Sequence, residues 1–128
     1  DTCFNAGLLD AENGLRSTVR GAEIDVRLPW YRSLPISVVE VGSLRVDAEA
    51  IPAPGIRFEV NGKSMGLDEL SGHPEEFWFV LDSAVLRLPG VQLVAGTEHE
   101  VELELNLYPP YVPHLKWVTK VKKTLRAR

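Results

Sequence analysis

The sequence of 128 residues contains a single cysteine, Cys3, and no apolar run close to the roughly 20 residues that a membrane-spanning helix needs. One thiol cannot form an internal disulfide, so the chain lacks the disulfide framework of small secreted domains. The first residues also lack the basic and apolar regions of a signal peptide. These features predict a protein of a reducing compartment, and we expect it in the cytoplasm and not in a membrane.

Positive charge is scarce as well, because 14 Lys and Arg residues stand against 18 Asp and Glu, for a net charge of −4. A nucleic-acid-binding surface needs a clustered excess of basic residues. The one basic cluster lies at residues 116–128, and we interpret it as a solvated terminal strand or tail. The remaining composition is that of a globular protein, and we expect one domain over residues 1–128.

Catalytic and metal-binding motifs are missing too. The three histidines, His73, His99 and His114, lie in separate segments, with no pair at the spacing of metal ligands. No serine stands in a Gly-x-Ser-x-Gly elbow, and no glycine-rich phosphate loop occurs. The sequence therefore predicts no catalytic residue, no metal site and no cofactor on this chain.

Strand patterns are what the sequence does contain. Between Glu98 and Tyr108 four apolar residues alternate with acidic or polar ones, which is typical of a strand with one buried face. The alternation recurs at residues 23–28 and 56–60, and weaker strand signals lie at residues 15–20, 36–46, 77–81, 84–88 and 116–121. Glu100, Glu102 and Glu104 share one face of the first strand, and we interpret them as a solvated acidic stripe, not as catalytic acids.

Turn-forming residues separate these segments, at Asn13-Gly14, Asn61-Gly62, Pro89-Gly90 and Ala95-Gly96-Thr97. Only residues 67–70 look helical, and they are too few for more than one turn. The pattern predicts an all-β fold, namely an antiparallel, jelly-roll-like β-sandwich of about eight to ten strands with at most one short helical turn. Without long amphipathic helices, the α/β enzyme folds are disfavoured.

Proline and aromatic residues concentrate in two segments, residues 28–35 (LPWYRSLP) and 108–114 (YPPYVPH). Proline does not continue a central strand, so we expect loops or sheet edges there. Loops of this kind hold Trp, Tyr and Arg, the residues that dominate binding hot spots, in place at low entropic cost. The competing interpretation is that the aromatic residues cap the open end of the core. We predict a partner-binding surface formed by Arg27, Trp30, Tyr31, Arg32, Pro35, Tyr111 and His114, with Trp78 as a further anchor.

An ordered set of segments carries a family resemblance: residues 13–16 (NGLR), 26–32 (VRLPWYR), 34–37 (LPIS), 96–101 (GTEHEV) and 123–125 (KTL). Together they resemble the small β subunit of bacterial C-glycoside deglycosidases. The resemblance spans nearly the whole chain, and residues 27–37 are its most specific part. It implies a β-sandwich subunit of a hetero-oligomer, associated with a larger α subunit similar to the sugar-isomerase type of TIM barrel.

The resemblance also implies the chemistry of the complex, which is that of a carbon–carbon lyase of carbohydrate metabolism. The α subunit is expected to carry the catalytic histidine and a divalent metal, manganese being the expected ion. The substrate is a 3-keto C-glycoside, whose ketone acidifies the proton at sugar C2; a base removes that proton, and elimination breaks the C–C bond to the aromatic aglycone. No catalytic residue of the family corresponds to a position in this chain, so any contact with substrate is expected to be indirect.

Two other functions fit the same residues. A sugar-binding module would stack Trp30 and Tyr111 on a pyranose ring and bind its hydroxyls through Arg32 and His114. An autonomous small lyase or hydrolase would use His114 with a carboxylate. A stoichiometric complex with a metal-containing barrel protein, sugar binding by a monomer, or turnover by the isolated chain distinguishes the three hypotheses.

Overall fold

The computed structural model describes residues 2–4, 6–10 and 14–128, so Asn13 of the first predicted turn lies outside the described residues. Within these ranges the chain forms twelve strands: β1 (Thr2–Phe4), β2 (Leu15–Thr18), β3 (Gly21–Arg27), β4 (Leu34–Pro35), β5 (Val39–Val46), β6 (Glu49–Ala50), β7 (Arg57–Val60), β8 (Lys63–Gly66), β9 (Phe77–Trp78), β10 (Ser83–Leu88), β11 (Glu98–Leu107) and β12 (Trp117–Arg126). Short 3₁₀ segments lie at Ala6–Leu8, Ile36–Val38, Ala53–Gly55 and Leu67–Gly72. No helix of the described part is long and apolar enough to cross a membrane.

Ten of these strands form two five-stranded sheets. The first sheet has the strand order β1-β12-β11-β5-β6 and the second has β2-β3-β10-β7-β8, while β4 and β9 pair in a short ribbon. The strand pairs are antiparallel, apart from the parallel pair of β1 with β12. Because buried apolar residues of both sheets form one cluster, the sheets pack as the two layers of a sandwich. The predicted all-β sandwich is confirmed, with one parallel pair at a sheet edge.

Period-two alternation decides which face each strand buries. On β11 the four apolar residues from Val101 to Leu107 are no more than 2% exposed. Ile24 and Val26 of β3 are buried in the same way, directly opposite buried residues of β10. The strongest strand predictions succeeded because one side of each strand had to be apolar.

The acidic stripe of β11 lies against the basic residues of β12. Lys122 Nζ lies 3.3 Å from Glu102 and 3.7 Å from Glu100, and Lys120 Nζ lies 3.9 Å from Glu104. These pairs are partly exposed, so each contributes little to stability. Their geometry fits the interpretation of the glutamates as a solvated stripe, and it places most of the basic cluster in a strand.

The number of short elements differs from the prediction. Twelve strands exceed the expected eight to ten because β4, β6 and β9 contain only two residues each, too few to show a period in the sequence. The described residues contain four 3₁₀ segments, of which only Leu67–Gly72, at the predicted helical turn, is longer than three residues. Two of them directly follow Pro35 and Pro52, where a residue without an N–H donor ends the extended ladder.

Gly21, the first residue of β3, has a φ of +125° that residues with a Cβ rarely adopt. A Cβ at this position would collide with the backbone of Leu88 and Pro89. We therefore expect Gly21→Ala to lower the free energy of unfolding by about 2 kcal/mol or more, measured by urea denaturation. Gly90→Ala is the matched control, since a Cβ there would meet nothing within 4 Å. Equal losses in the two variants would contradict this account.

Candidate functional site

The two proline-aromatic segments lie at the same end of the sandwich. β3 ends at Arg27 opposite Ser83, where β10 begins. β11 ends at Leu107 opposite Val39 and Trp117, where β5 and β12 begin. This end, termed the loop end, carries the connections at residues 28–38, 61–62, 73–82 and 108–116.

Both segments meet in one aromatic cluster, which consists of Trp30, Tyr31, Arg32, Tyr111 and Trp117. Trp30 lies at its centre, with ring centroids 5.2 Å from Tyr31 and 5.7 Å from Trp117. The Nε1 atom of Trp30 donates a hydrogen bond to the Tyr111 hydroxyl, and the Arg32 guanidinium lies 5.1 Å from the centre of the Tyr111 ring. Trp30 also packs against the core, and this contact holds the cluster in place. Tyr31 (71% exposed) and Tyr111 (44% exposed) face solvent.

Hydrogen bonds change the acidity of the two tyrosine hydroxyls in opposite directions. The hydrogen bond to Tyr111 raises the pKa of Tyr31, and the lost hydration of Tyr31 raises it further. Lost hydration also raises the pKa of Tyr111, but the hydrogen bonds from Tyr31 and Trp30 and the charge of Arg32 outweigh it and leave that pKa below its ordinary value. The Tyr111 oxygen is therefore the point at which the donors of the cluster converge.

The other predicted contact residues lie around this cluster without joining it. Arg27 is exposed at the end of β3. Pro35 is half-buried in β4, opposite Phe77. His114 is exposed and has a φ of 63°, a left-handed conformation that is uncommon outside glycine. Binding of a partner by these residues stays a prediction.

Trp78 lies in the core and not on this exposed surface, so the structure gives no support to its prediction as a partner anchor, which stays a prediction. Its side chain is 0% exposed, packs edge-on against Phe58 at 5.7 Å, and donates from Nε1 to the Asp82 carbonyl oxygen at 2.9 Å. The indole lies in the core because alternation turns it inward, whereas its neighbours Phe77 and Phe79 are 39% and 51% exposed.

Two features of the loop end were not identified from the sequence. Trp117 begins β12 opposite Leu107, and the register of the β11–β12 hairpin is the signal that could have placed it beside the loops. Residues 79–81 lie beside the first loop, because the Val80 backbone N–H donates to Ser33 Oγ at 2.9 Å. Exposed Phe79 and Leu81 therefore extend the apolar surface next to the cluster.

A carboxylate network lies beside the second loop, on the outer face of the first sheet. Asn106 is 1% exposed, and its Nδ2 donates to Glu40 at 2.9 Å and to Glu104 at 3.1 Å. The Tyr108 hydroxyl donates to Glu40 at 3.0 Å. The hydrogen bonds from Asn106 and Tyr108 lower the pKa of Glu40, so this carboxylate is ionised near neutral pH and does not serve as a proton donor.

At the opposite end of the sandwich His99 bridges two segments, a contact that its position in the sequence does not reveal. Its Nδ1 lies 2.6 Å from Asp47 and its Nε2 lies 2.7 Å from the Thr97 hydroxyl. A hydrolase triad has the same order of groups, but the Thr97 hydroxyl donates its proton to the Val94 carbonyl at 2.6 Å. These contacts join Thr97, His99 and Asp47, and they fix the turn at Asp47.

Asp47 makes the fold sensitive to acid. A hydrogen bond from His99 and another from the Glu100 backbone lower the pKa of Asp47. Such a group stabilises the fold above the unfolded-state pKa of about 3.9, and this contribution is lost as the pH falls through the lower folded-state value. Between about pH 5 and pH 2.5 we expect the wild type to lose more free energy of unfolding than Asp47→Asn, by less than about 1 kcal/mol because Asp47 is half exposed.

Denaturant titrations at several pH values test this prediction. Asp82→Asn is the control, because the Asp82 carboxylate makes no hydrogen bond or ion pair with the residues that the structure describes. If Asp47→Asn loses as much free energy of unfolding in acid as the wild type does, the contact with His99 does not contribute to the acid sensitivity of the fold.

Metal-ligating side chains are not grouped in the described part of the chain. Residues 2–4, 6–10 and 14–128 contain no set of three or more His, Cys, Asp or Glu side chains that could hold a metal ion. The features that stand out are the exposed aromatic surface of the loop end and the charged side chains that pair with one another.

Comparison with known sequences assigns the chain to a family. The family model described as C-glycoside deglycosidase beta subunit matches residues 10–111. The chain belongs to this family. A C-glycoside deglycosidase beta subunit from Microbacterium trichothecenolyticum is 43% identical over 98 residues, which cover 77% of this chain and 74% of the relative. A 3'-dehydrocarminate deglycosidase beta subunit from Microbacterium sp is 40% identical over 102 residues, covering 80% of this chain and 76% of that protein.

The resemblance found in the sequence is thus confirmed at the level of the family. A third relative, a C-glycoside deglycosidase beta subunit from Arthrobacter globiformis, is 39% identical over 102 residues and covers 79% of this chain and 78% of its own length. The region matched by this β-subunit family contains residues 30–32 and ends at Tyr111. It therefore includes the first loop of the aromatic cluster and the second loop as far as Tyr111, but not Trp117.

Proposed function

We propose that this chain is the non-catalytic β subunit of a hetero-oligomeric C-glycoside deglycosidase, and that its loop end docks on the larger catalytic subunit. One observation carries the proposal: in a member of the β-subunit family, two distant loops converge on Trp30 and leave Tyr31 and Tyr111 exposed. Rigid, partly exposed Trp, Tyr and Arg side chains are the usual centre of a protein–protein interface. The relatives are named as subunits, which supports a partner chain for this protein as well.

In this proposal the chemistry belongs to the large subunit. That subunit is of the sugar-isomerase TIM-barrel type and holds the catalytic histidine and a divalent metal, manganese. Its substrate is a 3-keto C-glycoside, in which the ketone acidifies the proton at sugar C2; removal of this proton by a base leads to elimination of the aromatic aglycone and cleavage of the C–C bond. The described residues of this chain do not fit a metal site, so no step is assigned to them.

The role of the β subunit is to stabilise the large subunit and to shape the mouth of its pocket. The two loops suit this role because the proline residues limit their freedom and Trp30 ties them to the core. Contact between this chain and the C-glycoside is then indirect, through the position of the partner's loops.

The two rival functions have less support in the geometry. A sugar platform needs an open aromatic face, but Trp30 is in contact with Tyr31 and Trp117, and Arg32 lies over one face of Tyr111. An autonomous enzyme built on His114 needs a carboxylate beside the imidazole, and none of the described carboxylates makes a hydrogen bond or ion pair with it.

Reconstitution tests the proposal. The tagged chain and a large subunit from the same organism are co-expressed, purified by size exclusion, and assayed for aglycone release from a 3-keto C-glycoside. We expect a stoichiometric complex whose activity disappears when this chain is omitted and returns when it is added back. Turnover by the isolated chain, full activity of the large subunit alone, or a monomer that binds free sugars in a calorimeter would each contradict the proposal.

A further inference from the structure

Four arginine side chains on the two sheets pair with acids of the same chain. Arg16 binds Asp25 through two nitrogens at 2.8 and 2.9 Å and Glu23 at 3.2 Å. Arg87 binds Glu23 and Glu59. Two more arginines lie within 4.0 Å of a glutamate, namely Arg45 and Arg57. The charge of these four arginines is therefore balanced inside the molecule.

Arg32 differs from these arginines. Its guanidinium lies over the Tyr111 ring and close enough to the Tyr31 hydroxyl to lower the pKa of that group, yet it forms no ion pair with a carboxylate of the described residues. Arg27, at the end of β3, is likewise exposed and makes no ion pair within the described part. The loop end also carries the exposed carboxylates of Glu75 and Asp82, but neither of them pairs with Arg32 or Arg27. Among the described residues, Arg32 and Arg27 are thus unpaired positive charges on a chain whose net charge is −4.

The way in which Arg32 is held favours a carboxylate as its ligand. Stacking on a ring occupies a face of the guanidinium and leaves its N–H edge available, and that edge matches the two oxygens of a carboxylate. Since two tyrosines already restrict the side chain, little further entropy is lost on binding. A stacked, unpaired arginine is therefore ready to form a bidentate ion pair.

The surroundings of Arg32 favour a protein as the source of that carboxylate. Nine large apolar side chains are exposed in the described ranges, and seven of them belong to the loop end: Tyr31, Phe77, Phe79, Leu81, Tyr108, Tyr111 and Val112. A nucleic acid would require many phosphate contacts, which two unpaired arginines on an acidic chain do not provide. Aromatic residues around an arginine are the composition of a protein interface.

We infer that Arg32 receives a carboxylate of the large subunit, so that the loop end fits an acidic patch bordered by apolar side chains on that partner. The inference rests on the proposed function, which supplies the partner. Arg27 adds attraction at longer range, and the exposed aromatic rings exclude water from the Arg32 ion pair, which strengthens it.

Charge reversal tests the inference with the full chain and the intact large subunit. Dissociation constants are measured by calorimetry for the wild type, Arg32→Glu, Arg32→Lys and Arg20→Glu at about 50 and 300 mM salt. Arg20 is the matched control, because it is exposed at the opposite end and forms no ion pair within the described ranges. We expect a loss of affinity of about 100-fold for Arg32→Glu and about 10-fold for Arg32→Lys, with a change below about twofold for Arg20→Glu. The affinity of the wild type should fall more steeply with salt than that of Arg32→Glu.

Each outcome separates this inference from the proposed function. Thermal unfolding of the isolated variants shows whether they are folded, and Arg32→Gln gives the uncharged comparison. Assembly that Arg32→Glu leaves unchanged or tightens would overturn the inference while the β-subunit function stands. Self-association of this chain that Arg32→Glu abolishes would assign the surface to a second copy and also overturn it. A wild-type chain that does not bind the large subunit at all would overturn the proposed function itself.

Discussion

Replacing Trp30 with alanine is expected to weaken assembly with the large subunit by about 2 to 4 kcal/mol, or roughly 30- to 1,000-fold in the dissociation constant. The substitution removes the ring that contacts both Tyr31 and Trp117 and the N–H that holds the Tyr111 hydroxyl. The two loops then lose their common contact, so the remaining side chains must be ordered again on binding, at a cost in entropy. The loss should therefore exceed what the contact area of Trp30 alone would give.

Calorimetric titration of the large subunit with each variant measures this effect. Tyr111→Phe keeps the ring but removes the hydroxyl, and a smaller loss of about 1 kcal/mol is expected for it. Val19→Ala is the control, because Val19 is 98% exposed at the opposite end and should not alter binding. Thermal unfolding of each isolated variant separates loss of binding from loss of fold, since Trp30 also packs against the core. Undiminished assembly of Trp30→Ala would remove the aromatic cluster from the interface.

Trp78→Ala is expected to have the largest effect on stability, a decrease of about 3 to 5 kcal/mol in the free energy of unfolding. Its side chain is 0% exposed, so truncation leaves a cavity beside Phe58 and removes the hydrogen bond to the Asp82 carbonyl. Such a loss is a large share of the stability of a domain of this size.

Phe79→Ala is the matched comparison, one residue away and 51% exposed. We expect it to lower the free energy of unfolding by no more than about 1 kcal/mol and to weaken assembly, which is the reverse of the pattern for Trp78. Urea denaturation and binding titrations of both variants test this contrast. A stable Trp78→Ala variant with impaired assembly would restore Trp78 as an interface anchor.

The long strands could be predicted from sequence because burial of one face imposes a period of two. β11 and β3 show that period over enough residues to exclude a helix. β4, β6 and β9 could not be predicted, since their pairing depends on neighbours that the fold brings to them. The burial of Trp78 could not be predicted for a related reason: in the apolar run Phe77-Trp78-Phe79 the sequence does not say which face is inside.

The residues of the candidate site were predicted from composition, but their meeting was not. Proline and aromatic content singled out both loops, whereas the contact of Trp30 with Tyr111 requires that β3 of one sheet and β11 of the other end on the same side. The bridge between His99 and Asp47 escaped prediction because 52 residues separate the two side chains. Contacts of this range depend on the whole topology, which local patterns do not contain.

The hydrogen bond between Trp30 and Tyr111 joins residues that are 81 positions apart in the chain. Trp117, in the strand that follows, also contacts Trp30. The entropy cost of closing so long a loop opposes the contact between Trp30 and Tyr111 until the two sheets bring the loops together. A growing or half-folded chain therefore lacks the surface on which the large subunit is proposed to bind. Assembly would then select for complete folding, because the large subunit would bind only those copies of this chain that are fully folded.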